Sequence, residues 1–204
     1  MIIGIADLGI GNFAAMAKMF DRLGAQPRRL DSPSDIASVD RLVLPGVGAF
    51  DYAARVLDEL KWREPLLQFM HEANKPLLAV CVGMQLLTQS SEEGPGAGLA
   101  WIPGRCKRFV PHDGDNLKVP HMGWNDLATI REDLLLTNEK KQRYYFVHSY
   151  YLDCPESYVI ANCDYGLTFP AAVRKEMVWG VQFHPEKSHR FGLELLRRFA
   201  EFPC

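Results

Sequence analysis

Of the five cysteines in this 204-residue chain, Cys81 has the neighbours best suited to a reaction. It stands in Ala79-Val80-Cys81-Val82-Gly83, where a short apolar run meets a helical pattern. Small residues two places before and after a nucleophile permit the sharp strand-to-helix turn of a nucleophile elbow, here with Cys in place of Ser. Such a turn exposes Sγ at the C-terminal edge of a sheet, and the helix start behind it favours a thiolate. Position alone fits a buried structural thiol equally well. A cysteine nucleophile, however, needs a base, and His184-Pro185-Glu186 offers one at the end of the apolar run 178–183. Alternate residues of an extended chain point the same way, and Pro185 biases His184 toward extended backbone. Glu186 can then orient the imidazole and favour its charged form. Attack on a carbonyl also needs N–H donors for the oxyanion. Val82 is one source, and Pro45-Gly46-Val47-Gly48, with two glycines free to adopt unusual angles, is another.

The remaining histidines lack this pairing. His71 falls on a solvated helix face, while His121 and His148 lie beside strands where they can line a pocket. His112 with Asp113 and Asp115 reads as a polar loop in preference to a metal site. No metal and no cofactor are expected.

The elements around these residues set the fold expectation. Residues 2–6 form a strand candidate, followed by a turn at Gly9 and Gly11 and a helical pattern from Phe13 to Leu23 that Gly24 can stop. A second clear strand covers 41–44, helices follow near 51–60 and 64–74, and 76–80 is a third strand leading to a helix from 84 to 89. Strands alternating with helices mean a parallel sheet covered by helices. The later half differs: short strands near 107–109, 145–147, 158–160, 171–173 and 178–183 follow one another before a closing amphipathic helix near 192–202. Residues 94–98 and 112–116 read as loops. The expectation is α/β: one domain over 1–204 with a mostly parallel central sheet flanked by helices and additional antiparallel strands.

Composition narrows the function classes. Hydrophobic residues at 48% and charged residues at 24% fit a globular protein and argue against disorder. Lys plus Arg number 23 against 25 Asp plus Glu, a net charge of -2, which gives no reason to expect nucleic acid or an anionic membrane as partner. No apolar run is long enough to span a bilayer, and the N-terminal segment does not read as a signal peptide. An odd cysteine count without a C-x-x-C pair suits a reducing, cytoplasmic setting better than a disulfide framework or zinc ribbon. A competing motif sits near the start. Gly9-Ile10-Gly11-Asn12-Phe13-Ala14, with Asp31 further on near the end of a possible strand, matches a dinucleotide-binding fingerprint. A tight strand–helix turn explains the same residues, and an oxidoreductase would leave Cys81 and His184 idle.

Several longer stretches point to a family. They are Asp7-Leu8-Gly9-Ile10-Gly11-Asn12, LPGVGAFD at 44–51, CVGMQLL at 81–87, KVPHMGWN at 118–125, YFVHSYY at 145–151 and GVQFHPEKS at 180–188. In this order, over essentially the whole chain, the sequence resembles the class I (triad-type, flavodoxin-like) glutamine amidotransferases. Within them it is most similar to glutaminase subunits of imidazole glycerol phosphate synthases. The resemblance implies a Cys81-His184-Glu186 triad that hydrolyses L-glutamine to glutamate and ammonia. It implies an oxyanion hole at Val47, Gly48 and Val82, and substrate contacts at Gly46, Gln85, His148, Ser149 and Tyr150. It also implies a heterodimer with a barrel-fold cyclase subunit that takes the ammonia for histidine biosynthesis, with Asn12, Trp124, Tyr145 and Lys187 at or near the interface. The chain is too short to hold that synthase as well.

Two departures matter. Ala79 stands where the family often has Gly. The continuation Ser188-His189-Arg190-Phe191-Gly192 resembles a branch associated with surface-polysaccharide synthesis, in which the ammonia would serve a sugar amidotransferase. A Cys hydrolase or peptidase of the same fold would use the same triad but leaves KVPHMGWN and YFVHSYY unexplained.

Overall fold

The structure, a computed structural model, describes residues 1–72, 75–111, 117–137 and 142–203. His112, Asp113, Asp115 and the end of the expected helix 64–74 lie outside the described residues. The first half alternates as the sequence pattern requires: β1 (Ile2–Ala6), α1 (Phe13–Arg22), β2 (Gln26–Leu30), β3 (Arg41–Gly46), α2 (Phe50–Glu59), α3 (Arg63–Glu72), β4 (Leu77–Cys81) and α4 (Val82–Leu86). The second half is strand-rich: β5 (Ser90–Ser91), β6 (Arg105–Arg108), β7 (His121–Asp126), β8 (Ala128–Thr129), β9 (Arg143–His148), β10 (Tyr150–Asp153), β11 (Val159–Asp164), β12 (Thr168–Lys175) and β13 (Val178–Val181), closed by α5 (His189–Glu201).

The main sheet has eight strands in the order β2-β1-β3-β4-β13-β12-β11-β8. From β2 to β13 every pairing is parallel, and from β13 to β8 every pairing is antiparallel. This matches the expected mostly parallel sheet with antiparallel additions. The central strands β3 and β4 are buried along their whole length, as apolar strands covered on both faces must be. Strand β2, QPRRL, is the outermost member and mostly polar. Pro27 is tolerated there because an edge strand has a side that needs no ladder donor. β6 joins β5 and β10 in a small sheet, and β7 pairs with β9 in a separate two-stranded ribbon. Arg41 anchors the end of α5: its Nε donates to the Ala200 carbonyl at 2.9 Å and its Nη2 to that of Phe202.

Two boundaries differ from expectation, and both concern the site. Helix α4 begins at Val82, directly after the nucleophile candidate, and ends at Leu86. β13 stops at Val181, so after a last bond from Gln182 N–H to the Ala171 carbonyl the chain bends away from the sheet and Pro185–Lys187 form one 3-10 turn. His184 is extended, with φ −101° and ψ 100°, but Glu186 lies in the turn. The two side chains meet through a tight turn, not through the alternation of a strand.

The β4–α4 junction is tightly packed. A Cβ on Gly83 would lie 2.0 Å from the Leu44 carbonyl oxygen, and one on Gly46 would lie 2.9 Å from the Gly83 nitrogen. Backbone therefore faces backbone where β3 passes α4. Gly83→Ala must shift that backbone and is expected to cost roughly 1–3 kcal/mol, seen as a lower denaturation midpoint with little change in slope. An unchanged midpoint would mean that the close approach is not a constraint.

Candidate active site

Cys81 ends β4 with φ +56° and ψ −111°. A non-glycine residue in such a conformation costs of order 1–3 kcal/mol, and such strain clusters at functional sites. Ala79, two residues earlier, is fully buried, with Leu44 and Gly180 as its neighbours in the sheet. The alanine methyl is accommodated, so the turn does not require glycine at that position. Parallel pairing of β13 with β4 places Val181 beside Val80, and the chain leaving β13 delivers His184 to the same sheet edge.

Cys81, His184 and Glu186 line one cleft of about 460 Å³. His184 Nδ1 lies 2.8 Å from Glu186 Oε1; the ring donates there and turns Nε2 toward the cleft. That Nε2 is buried without a hydrogen-bond partner. Cys81 is the nearest group that influences this side of the imidazole, and a thiol–imidazole contact of loose geometry often tightens only when substrate is present. Burial opposes charging of His184. Hydrogen-bonding and charge interactions with Cys81 and Glu186 outweigh it and raise the pKa to about 9. The ring can therefore hold a proton to give to a leaving group.

The cleft also contains Asn12, Val47, Gly48, Val82, Gln85, His148, Ser149, Tyr150 and Lys187. Most residues expected to bind substrate or oxyanion are thus gathered in one place. Gly46 is not in the lining; it sits behind the cleft, paired in register with Cys81 and packed against Gly83. Val47 lines the cleft, but its N–H already donates to the Ile10 carbonyl. Val82 opens α4, so its N–H has no carbonyl within the helix to bond. Asn12 caps α1, its Oδ1 accepting from Ala15 N at 3.1 Å.

Trp124 and Tyr145 lie outside the cleft, opposite each other on the β7–β9 ribbon, with ring centroids 6.3 Å apart. Neither is a core residue: Trp124 is 36% exposed and neighbouring Met122 61%, and Tyr145 is half-buried. Lys187 Nζ sits 5.8 Å over the Tyr145 ring. The ribbon is tied directly to the base. His184 N–H donates to the Tyr145 carbonyl at 2.9 Å, Tyr145 N–H donates to Ser188 Oγ at 3.0 Å, and Ser188 Oγ donates to the His184 carbonyl at 2.6 Å.

Sequence reasoning left Ser188, Gln182, Glu93 and Pro120 without roles. Glu93 and Pro120 line the cleft, and Gln182 donates to Cys81 Sγ at 3.7 Å. Ser188 and Gln182 belong to the quoted stretch 180–188, so their motif was visible but not their partners. Glu93 sits in a loop whose path no local pattern reveals.

The dinucleotide-like turn has a packing explanation. A Cβ on Gly11 would lie 2.9 Å from Pro45 Cγ, and Asp31 pairs with Arg29, which also holds Asp7. His71 is exposed on α3 but makes an edge contact with Trp101. Burial raises the thiols of Cys106 and Cys163 to about 12 and that of Cys154 to about 11, leaving them unreactive at neutral pH. Among the described residues, no group of three or more His, Cys, Asp or Glu side chains is placed to hold a metal ion, and no helix is long and apolar enough to cross a membrane. A larger cavity, about 710 Å³, lies against α5, lined by Tyr144, Arg190 and Arg198 among others. It contains neither a cysteine nor a histidine.

A strained cysteine after a parallel strand, with a carboxylate-held histidine beside it, is an arrangement suited to acyl transfer. The model of the family "Glutamine amidotransferase class-I" matches residues 5–201, and the chain belongs to that family. It is 44% identical over 202 residues to the imidazole glycerol phosphate synthase subunit HisH of Leptospira interrogans, covering 98% of this chain and 99% of that one. It is 42% identical over 203 residues to the subunit of the same name from Bdellovibrio bacteriovorus, covering 98% and 100%. Among solved structures, a glutamine amidotransferase superposes with a TM-score of 0.76 at 19% identity, covering 98% of each chain. PurLQS of Thermotoga maritima gives 0.71 at 16%, again covering 98% of each; these two likenesses concern the fold.

His184 gains charge-stabilising partners on folding. Its imidazolium therefore contributes stability that is fully present below its ordinary pKa of 6.5 and is lost as pH rises through about 9. Glu186→Gln removes one of those partners. It is expected to lower the His184 titration midpoint, followed by imidazole NMR, and to shrink the stability lost between those pH values. An unchanged midpoint would show that the carboxylate does not hold the charge.

Proposed function

We propose that this chain is the glutaminase subunit of an imidazole glycerol phosphate synthase and works as a single catalytic domain in the cytoplasm. The observation that carries the reading is the meeting of Cys81, His184 and Glu186 in one cleft, in a chain matched over nearly its full length by subunits of that name. Cys81 Sγ attacks the side-chain amide carbon of glutamine. The tetrahedral intermediate collapses, the C–N bond breaks, His184 Nε2 gives its proton to the departing nitrogen, and a γ-glutamyl thioester remains. Water then attacks the thioester with His184 as base, and glutamate leaves with the thiol restored. Glu186 keeps the imidazole oriented throughout. The Val82 N–H and the loop of Val47 and Gly48 stabilise the oxyanion.

Gln85, His148, Ser149 and Tyr150 hold the substrate, with Gly46 shaping the wall behind them. Gln85 spends both amide protons on Tyr150 O and Gln182 Oε1, at 3.2 and 3.1 Å. Its own oxygen is then available, together with Glu93, to accept from the α-ammonium of glutamine.

The ammonia passes to a barrel-fold cyclase subunit bound as the second half of a heterodimer. Asn12, Trp124, Tyr145 and Lys187 form or border the docking face, where the exposed aromatic ribbon adjoins the cleft. Binding there acts on His184 through the Tyr145 and Ser188 bonds. One observation favours a second acceptor, a sugar amidotransferase. His189 of the Ser-His-Arg-Phe-Gly continuation stacks on Trp124, with centroids 5.4 Å apart and planes within 2°, so that continuation would shape partner choice.

The test is glutamate release from glutamine, with and without a histidine-pathway cyclase and its nucleotide substrate. Cys81→Ala is expected to abolish release, and His184→Ala to reduce it by roughly a thousandfold or more. The cyclase and its ligand should accelerate the wild type. Cys81-dependent release that ignores the cyclase would shift the acceptor to a sugar amidotransferase. Release that survives Cys81→Ala would refute the nucleophile.

A further inference from the structure

Gln182 is fully buried in the chain leaving β13, and its backbone N–H completes the ladder to the Ala171 carbonyl at 2.9 Å. Its side chain links two parts of the cleft. Oε1 accepts from Gln85 Nε2 at 3.1 Å, and Nε2 donates to Cys81 Sγ at 3.7 Å. A backbone carbonyl fixes the direction of this chain of bonds. Tyr150 O can only accept, and it takes His148 Nδ1 at 2.8 Å and Gln85 Nε2 at 3.2 Å. Gln85 must therefore present its nitrogen, Gln182 must answer with its oxygen, and the Gln182 NH₂ is left facing sulphur. Reversing either amide would set acceptor against acceptor at Tyr150 or donor against donor between the glutamines.

We propose that Gln182 is a catalytic residue of the Cys81 reaction: its amide donates to Sγ, holds the sulphur for attack, stabilises it as a thiolate, and joins it to the substrate-contacting Gln85. A hydrogen bond to an ionised acceptor is stronger than one to its neutral form, so the donor favours the nucleophilic state. The assignment rests on the glutaminase reading for its consequences in turnover, but the effect on the thiol does not need glutamine. The other titratable groups around the cleft are His184, Glu186 and Lys187 from the segment after β13, Glu93 from the loop after β5, His148 from β9 and Tyr150 from β10. His148 adds no positive charge at neutral pH, because burial pushes its pKa down to about 3.

A merely space-filling glutamine would affect stability alone. The deciding experiment is the pH profile of Cys81 alkylation by iodoacetamide in the wild type, Gln182→Met and Gln182→Glu. Cys81→Ala supplies the background from the other thiols. Gln182→Met removes the donor, and Gln182→Glu puts a carboxylate oxygen in its place while still accepting from Gln85. The midpoint is expected to rise by about one pH unit in Gln182→Met and further in Gln182→Glu. Glutaminase kcat should fall about tenfold or more, out of proportion to any change in thermal stability. Wild-type profiles in both variants would overturn the proposal. If neither variant folds, the Gln182 side-chain amide signals of the ¹⁵N-labelled wild type decide. They should move in step with the Cys81 profile, and signals that stay fixed through it refute the bond. A wild type that alkylates normally but releases no glutamate even with the cyclase subunit and its nucleotide substrate present would sink the glutaminase reading and leave the alkylation result standing. An active wild type with unshifted variants would sink the Gln182 assignment alone.

Discussion

The positive φ of Cys81 is the constraint around which the neighbouring positions are arranged. A strand that turns into a helix at one residue must bring the first helical turn against the adjacent strand, and here that strand is β3. The approach is so close that neither Gly83 nor Gly46 can carry a Cβ without moving backbone. The parallel order β3-β4-β13 then sets three strand ends side by side. From them come the 45–48 loop, the cysteine and the histidine. In open parallel sheets, sites form at carboxyl strand ends because chains there diverge to opposite faces. The strained turn uses that crevice and projects sulphur into it.

Strain persists only where the surroundings over-determine it. At Cys81 the surroundings are two fully buried strands and a sulphur held from the side by an amide. At His184 they are three hydrogen bonds among His184, Tyr145 and Ser188, and a carboxylate on Nδ1. The imidazole thus has little freedom in the plane that matters, although the chain around it has already left the sheet. The same bonds tie the exposed aromatic face of the β7–β9 ribbon to the backbone of His184 through Tyr145.

Much of this was legible in the residue order. The strands from Ile2, Arg41 and Leu77 were visible as apolar runs, and Ala79 to Gly83 announced an elbow by size alone. What escaped did so for physical reasons. β2 showed only as a possible strand ending near Asp31, without bounds, because it carries two arginines and a proline and takes its form from pairing with β1 at the sheet edge. The apolar run 178–183 looks like one strand, but β13 stops at Val181, one last ladder bond follows from Gln182, and a turn, not extended chain, brings Glu186 to His184. Gly46 stands behind the cleft because the place of its missing side chain faces α4, and a sequence does not say which way a strand end faces. Gln182 and Ser188 lay inside a motif already singled out, yet their work depends on Cys81 and Tyr145, residues far away in sequence. Local pattern identifies elements and reactive types, whereas pairings between distant segments emerge only when the sheet has formed.

The two halves of the catalytic centre are unequally prepared. The nucleophile and base are held in place by packing, by Glu186 and by buried amides. Under the proposed function the oxyanion side is not yet formed, because the Val47 N–H is bonded to the Ile10 carbonyl. For that N–H to serve an oxyanion, the bond must open and the peptide must turn, a movement that Gly48, already at φ +101°, is suited to absorb. Ile10 precedes the Gly11-Asn12 turn that packs on Pro45, and Asn12 borders the cleft. A contact made at that turn would therefore bear on the loop as directly as a contact at Tyr145 bears on His184. Under the proposed function, slow hydrolysis by the isolated chain needs no defect in the triad. It follows from a donor already committed elsewhere, and a partner bound across both turns could release it.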